Sequence, residues 1–144
     1  MSLNITTHEK LVLKSVMTEL RKVCSKILCH CKQLGYTDDD IFAVHLALEE
    51  AFVNAVKHGN KEDSTKNVTV EYDLSPEKIT ITVTDEGVGF EPCSIADPRC
   101  GENIYKTGGR GVLLIRTYMD FIEYNKTGNS ITMTKLNSRQ PKQS

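Results

Sequence analysis

Two groups of residues in this chain have types and spacings that could do chemistry. Glu50 and Asn54 are four residues apart in "LEEAFVNAVKHGN", so on a helix they would share one face. Asp85 begins "DEGVG", where Gly87 and Gly89 would let the backbone turn sharply and a ligand approach closely. Whether these side chains act chemically depends on the elements that carry them.

Asp85 lies in phase with the inward face of a predicted strand. Counting back by two from Asp85 along "ITITVTD" gives the apolar residues Val83, Ile81 and Ile79. An inward carboxylate is unfavourable unless hydrogen-bond donors surround it, which suggests a ligand site. An aspartate that caps the turn at the end of a strand explains the same residues, so both interpretations stay open.

Glu50 and Asn54 lie roughly opposite the apolar stripe of their predicted helix, which consists of Ile41, Val44, Leu48, Ala51, Phe52 and Ala55. A solvated helix back would normally carry Lys, Glu or Gln. Here Ala43 and Ala47 precede the two polar residues, as they would in the wall of a cavity. A cavity wall and a solvated face are both compatible with the pattern.

The segment "KTGGRGVLLI" leads from a glycine-rich loop into a third predicted helix. Free N–H groups at a helix start bind phosphate, and Lys106 and Arg110 add positive charge there. The spacing of a P-loop is absent, and no dinucleotide fingerprint follows a strand. By itself this segment is weak support for a phosphate site.

The predicted elements form one α+β domain. Residues 3–14 are ambiguous between a strand and a helix start, and helices are predicted over about 15–34 and 37–58. Strands follow at "KNVTVEYDL" and "ITITVTD", then a long loop, a short helix over about 112–119, and strands at "FIEYN" and "SITMTKL". We therefore expect a two-layer sandwich over residues 1–136, with helices on one face of a mixed, mostly antiparallel sheet, and a disordered tail over 137–144.

Composition gives no sign of a nucleic-acid or membrane surface. The net charge is −1, no apolar run is long enough to span a membrane, and "MSLNITTHEK" lacks a signal-peptide core, so we expect a cytoplasmic protein. The five cysteines are an odd number, which favours free thiols. In "CSKILCHC", Cys24 and Cys31 are seven residues apart on an apolar helix face, so we predict core cysteines rather than a metal site.

The order of three motifs resembles a known family. "EAFVNAVKHGN", then "DEGVGF" after a hairpin, then "GGRGVLLI" after a long loop are similar to the three boxes of the GHKL (Bergerat-type) ATP-binding fold. Within it, the chain most resembles the anti-sigma-factor serine/threonine kinases, whose E-x-x-x-N-A-x-x-H-G pattern is matched by Glu50, Asn54, Ala55, His58 and Gly59. The segment "LIRTYMD" also resembles that branch.

The resemblance implies a role for each motif residue. Asp85 would accept the adenine amino group, and Gly87 and Gly89 would admit the base and sugar. Asn54 would ligate Mg²⁺, and Glu50 would act as general base on the incoming hydroxyl.

The third box would bind the phosphates of ATP. Gly109 and Gly111 would present backbone N–H groups, while Lys57, Lys106 and Arg110 would supply charge. Asn129 or Ser130 stands where the family often has a threonine near adenine, which is a departure from its pattern.

The family implies a protein kinase that phosphorylates Ser or Thr on an anti-anti-sigma-type partner and sequesters a sigma factor or related regulator. It also implies a homodimer, for which the sequence itself shows no seam. The alternative is a nucleotide-gated binding module without kinase activity. A histidine kinase fragment and a gyrase-like ATPase are less favoured, because no phosphoacceptor hairpin and no transducer domain are apparent in the sequence.

Overall fold

A five-stranded antiparallel sheet forms one layer of the protein. In the computed structural model, which describes residues 7–87, 109–125 and 127–139 (backbone alone at 109–113), the strands are β1 (Thr7–Lys14), β2 (Asn67–Leu74), β3 (Lys78–Thr84), β4 (Phe121–Tyr124) and β5 (Ser130–Leu136). Their order in the sheet is β1-β2-β3-β5-β4. The predicted α+β sandwich is confirmed. Every pairing among the described strands is antiparallel, so the parallel pairing that a mixed sheet allows is not found there.

Alternation of apolar and polar residues forms the sheet as predicted. The inward side chains of β2 and β3 are almost completely removed from water: Val68, Val70, Tyr72, Leu74, Ile79, Ile81 and Val83. The opposite face carries threonine and serine hydroxyls that pair across β3 and β5, with Thr82 Oγ1 3.0 Å from Thr132 Oγ1. The hydrophobic effect thus fixes the strand register, because a slip of one residue would exchange the two faces.

The helical layer contains α1 (Thr18–Gln33), α2 (Asp38–Asn54), a π-helical turn (Ala55–Gly59) and α3 (Gly109–Tyr118). Gly35, with φ of +82°, reverses the chain after α1. Thr37 caps α2 by accepting a hydrogen bond from the backbone N–H of Asp40 at 3.0 Å. None of the helices among the described residues is both long and apolar enough to cross a membrane.

Two predicted boundaries are wrong. The ambiguous N-terminal segment is strand β1 through Lys14, so α1 begins at Thr18 rather than near Ser15. The second helix was expected to stay α-helical to about residue 58. Instead the α-helix ends at Asn54 and a π turn follows, in which the N–H of Asn60 donates to the carbonyl of Ala55 at 2.8 Å.

The cysteines of α1 are core residues where their side chains face the sheet. Cys24 and Cys31 are buried, and burial raises the pKa of their thiols to about 11 and about 12. Cys29 is exposed, and Cys93 and Cys100 lie outside the described residues. No cluster of three potential metal ligands occurs among the described residues.

The packed chain extends past Leu136, the domain end suggested by the sequence. Asn137 is buried and donates to the carbonyl of Pro76 at 2.9 Å. The backbone N–H and the hydroxyl of Ser138 both donate to Asp40 Oδ2 at 2.9 Å. The side chain of Asp40 therefore binds the C-terminal segment, while its backbone N–H is capped by Thr37.

Asp40 should make folding sensitive to acid. Burial alone would raise the pKa of this carboxyl, but the hydrogen bonds from Ser138 and Thr37, together with Lys135, lower it below its usual 3.8. A lowered folded-state pKa gives stability that is present above pH 3.8 and is lost as the pH falls through the folded-state pKa. We expect Asp40→Asn to lower the free energy of unfolding by about 1–3 kcal/mol at pH 7. The difference from wild type should shrink below about pH 4.

Urea unfolding across this pH range measures the effect. Asp39→Asn is the matched control, because it removes the same charge from the exposed side of the same helical turn. A loss in Asp40→Asn that is independent of pH would contradict the assigned role.

Candidate functional site

Asp85 directly follows β3 and points inward, as its phase predicts. Its carboxylate Oδ1 accepts the N–H of Gly87 at 2.7 Å. Its backbone N–H donates to the carbonyl of Asn129 at 2.9 Å, and Asn129 Nδ2 donates to the carbonyl of Asp85 at 3.2 Å. Burial raises the pKa of Asp85, and the bond from Gly87 and the charge of Lys66 only partly oppose it. The carboxylate is therefore withdrawn from water without an ion-pair partner among the described residues.

Two glycines, which have no side chains, leave space for the carboxylate of Asp85. A Cβ added to Gly59 would lie 2.1 Å from both Cγ and Oδ2 of Asp85. A Cβ added to Gly87 would lie 2.0 Å from the carbonyl oxygen of Gly59. The end of the π turn and the turn after β3 are thus in direct main-chain contact, with the carboxylate beside them. The φ of Gly59 is not left-handed, so this glycine is needed for space rather than for its backbone conformation.

Glu50 and Asn54 lie on α2, half-buried, and neither side chain has a hydrogen-bond or ion-pair partner within the described ranges. Their spacing places them one helical turn apart, about 6 Å along the axis. Glu49 is different, because its carboxylate lies 3.7 Å from Nε2 of His45. The two adjacent acids therefore have separate surroundings, and Glu50 is the one available to a ligand.

The flank of α2 that carries these residues is covered by protein rather than water. Ala43 and Ala47 are buried, with 3% and 1% of their surfaces exposed. The small side chains therefore form part of a packed helix surface, and Glu50 and Asn54 stand at its edge. A fully solvated helix back is therefore wrong at Ala43 and Ala47, while the cavity at Glu50 and Asn54 stays a prediction.

Helix α3 brings its N-terminus to the end of α2. The ring of Tyr118 makes an edge contact with Phe42, with centroids 5.8 Å apart, so the end of α3 lies beside the start of α2. From Tyr118 back to Gly109, α3 rises about 14 Å, and the same distance along α2 from Phe42 reaches about Ala51. Because α3 packs along α2, its start faces the turn that holds Glu50 and Asn54.

The remaining predicted site residues are described in part. Lys57 is exposed on the π turn. Gly109 and Gly111 belong to the first turn of α3, where free N–H groups point along the axis. The side chain of Arg110, and Gly89 and Lys106, lie outside the described residues. Gly59 and Asn129 complete the surroundings of Asp85. The sequence signalled both without giving their contacts: Gly59 is the last residue of the family pattern, and Asn129 is one of two residues where the family often has a threonine near adenine.

The chemistry of these groups fits a nucleotide with a divalent cation. A half-buried carboxylate can accept a hydrogen bond from the amino group of a base whose apolar ring excludes water from the site. The start of α3 favours an anion such as phosphate, through its N–H groups and its dipole. Asn54 offers an amide oxygen, which suits a hard cation such as Mg²⁺. Side chains and N–H groups suited to a base, a metal ion and phosphate thus occur at one end of α2.

Gly59→Ala should displace the carboxylate of Asp85, because the new methyl group would overlap its atoms. We expect ATP to bind at least about tenfold more weakly, which is about 1.4 kcal/mol. Gly35→Ala is the control. It adds a methyl group where nothing lies within 4 Å, so only the left-handed φ of Gly35 opposes it. It should lower stability by about 1–2 kcal/mol and leave ATP affinity unchanged. Calorimetric titration and thermal unfolding separate the two effects.

Asp85→Asn should stabilise the ligand-free protein at neutral pH. The raised pKa means that the contribution of Asp85 to stability is fully present below its usual pKa of 3.8 and is lost as the pH rises through the folded-state value. The amide keeps an acceptor for the N–H of Gly87 but carries no charge. The stability difference between variant and wild type should therefore grow from pH 3 to pH 7 in urea unfolding. A variant that is less stable at every pH would contradict a strained, desolvated carboxylate.

Comparison with known proteins agrees with this geometry. Residues 13–135 match the family described as histidine kinase-like ATPase domain. The serine-protein kinase RsbW of Listeria innocua is 33% identical over 114 residues, which cover 74% of this chain and 73% of that protein. RsbW of Bacillus subtilis is 31% identical over 110 residues, covering 72% and 69%.

A solved structure shows the same fold. The RsbU and RsbW domains of Rv1364c from Mycobacterium tuberculosis superpose with a TM-score of 0.61 at 17% identity, covering 91% of this chain and 32% of that one. The sequence matches decide the family, since they span most of the chain and include the segments that carry Glu50, Asn54 and Asp85. The chain therefore belongs to the histidine kinase-like ATPase domain family, in the branch of the RsbW anti-sigma-factor serine kinases.

Proposed function

We propose that this protein is an ATP-dependent serine/threonine protein kinase that phosphorylates a protein partner of anti-anti-sigma type. The observation that carries the proposal is that Glu50 and Asn54 lie one helical turn apart on α2. Both are half-buried and without partners within the described ranges, at the end of α2 where Asp85 and the start of α3 also lie. The names of the RsbW relatives as serine-protein kinases support it.

In this proposal ATP is held at both ends by groups of the chain. Asp85 accepts the amino group of adenine, and Gly87, with Gly89 beyond it, leaves room for base and sugar. The N–H groups of Gly109 and Gly111 bind phosphate oxygens, with charge from Lys57, Lys106 and Arg110. Mg²⁺ held by Asn54 would neutralise charge on the phosphates.

Glu50 serves as the general base. It takes the proton of the partner's Ser or Thr hydroxyl while that oxygen forms a bond to the γ-phosphorus. The bond between the γ-phosphorus and the bridging oxygen of the β-phosphate breaks, and ADP leaves with that electron pair. Because Glu50 is one turn from Asn54, the base and the metal ligand can reach the same phosphoryl group.

The proposal also includes the capture of a sigma factor or related regulator, as in the anti-sigma branch to which the chain belongs. Such a partner would bind a surface of the domain and be released as the nucleotide state changes. The alternative is a nucleotide-gated binding module that captures partners without phosphorylating them. The two functions differ in whether a labelled phosphoprotein is formed.

Incubation with labelled ATP, Mg²⁺ and cell extract tests kinase activity directly. We expect a labelled partner whose phosphate is on Ser or Thr, and Glu50→Gln should slow transfer on the order of 100-fold or more. The affinity for ATP should change little, because Glu50 is assigned to the hydroxyl and not to the nucleotide.

Glu49→Gln is the matched control, since it removes the neighbouring charge, which lies beside His45. It should transfer phosphate at nearly the wild-type rate. Equal losses in both variants would show that Glu50 is not the base. Nucleotide-dependent capture of a partner that never becomes labelled would favour the binding module.

A further inference from the structure

Asn60 is a buried asparagine that ties three separate segments to the end of the π turn. Its side-chain oxygen accepts the N–H of Glu86 at 2.8 Å. Its Nδ2 donates to the carbonyl of Asn67 at 2.9 Å and to the hydroxyl of Ser15 at 3.0 Å. The residue is fully buried. The end of β1, the start of β2 and the turn after β3 therefore meet on one amide.

The main chain around Asn60 is held in an uncommon conformation. Its N–H closes the π turn on Ala55, and the two residues that follow, Lys61 and Glu62, have φ of 52° and 60°. Consecutive non-glycine residues in the left-handed region are unfavourable and persist only where the surroundings determine them. Here the N–H of Glu62 donates to the carbonyl of Val56 at 2.7 Å, which folds the segment back on the turn.

Asn60 contacts the residue next to Asp85, the predicted adenine carboxylate. Gly59 touches the carboxylate of Asp85, and the next residue, Asn60, binds the N–H of the residue after Asp85. The side chain of Glu86 returns to the N–H of Asn67, which Asn60 holds from its carbonyl side. These bonds close a ring that fixes the turn after β3 against the π turn.

We infer that Asn60 is a positioning residue for adenine recognition. It touches no ligand itself. It sets where the Asp85 carboxylate stands relative to Asn54, because it directly follows the π turn that continues the helix of Asn54. The inference rests on the proposed nucleotide site and goes beyond it, since neither the motif roles nor the relatives assign a function to this residue.

An amide is the side chain that this position needs. Three groups surround this side chain: the N–H of Glu86 needs an acceptor, and the carbonyl of Asn67 and the hydroxyl of Ser15 each need a donor. A carboxylate has no hydrogen to give to the carbonyl of Asn67, and a serine hydroxyl has only one. A buried group left unpaired would favour movement of the turn, and Asp85 would move with it.

The test compares the affinity of the protein for ATP and for ITP, whose base has a carbonyl in place of the adenine amino group. Wild type should prefer ATP, and Asp85→Asn should lose the preference. Asn60→Ser should weaken ATP binding about tenfold, equivalent to about 1.4 kcal/mol, and change ITP binding little. In the Asp85→Asn background, Asn60→Ser should have no further effect on ATP binding, because two variants that act through one interaction are not additive.

Asn137→Ser is the matched control for lost stability. Asn137 is also a buried asparagine, but it follows the opposite end of β5, where Leu136 pairs with Lys78. It should lower the free energy of unfolding and leave the preference for ATP unchanged. A similar drop in preference for Asn137→Ser, or additive effects of the Asn60 and Asp85 variants, would reduce Asn60 to a purely structural residue and overturn the inference.

Hydrogen exchange on the wild-type protein tests the same bond without a variant. The amide of Glu86 should be protected in the absence of nucleotide, since positioning requires the bond before the ligand arrives. Exchange at the rate of a free amide would overturn the inference. If wild type itself shows no preference for ATP over ITP, the adenine role of Asp85 fails as well. If wild type prefers ATP, Asp85→Asn loses this preference and Asn60→Ser keeps it, the proposed function stands and this inference alone fails.

Discussion

The carboxylate of Asp85 stands against the main chain of Gly59, and this contact joins the sheet to the end of helix α2. A charged group at the end of a core-facing strand is unfavourable, and its raised pKa reflects the water that it has lost. The apolar residues before it on β3 fix its phase, so it cannot turn outward without moving the strand. The fold therefore holds a poorly solvated acceptor in place, and a donor from a ligand can relieve that cost.

Helix α2 serves both layers of this arrangement. One side, through residues such as Leu48 and Phe52, packs fully into the core. The flank with Ala47 is also buried, so Glu50 and Asn54 emerge at a boundary between packed protein and open space. A helix covered on two sides is held more rigidly than a surface helix. This rigidity would suit the proposed general base and metal ligand, which have to reach one phosphoryl group.

Much of this could be predicted from the sequence, for physical reasons. Alternation over β2 and β3 reports burial directly, so the hairpin and the inward phase of Asp85 follow from counting by two. The π turn could not be predicted, because a change from i+4 to i+5 bonding leaves no trace in apolar periodicity. The role of Gly59 depends on which atoms approach it from another element. The functions of all the site residues stay predictions, and Gly89, Lys106 and the side chain of Arg110 also lie outside the described residues.

The π turn also determines how the parts of the site depend on one another. Asn54 precedes this turn directly and Gly59 ends it against Asp85, so the proposed metal ligand and the proposed acceptor for adenine are both positioned by the same five residues. A shift in the turn would move both ends of a bound nucleotide relative to each other. Glu50 lies one α-helical turn earlier, where regular hydrogen bonds hold it independently of the π turn. In the proposed mechanism, nucleotide recognition and hydroxyl activation would therefore depend on adjacent but separate pieces of backbone, so a chain with this fold could lose transfer and still bind ATP.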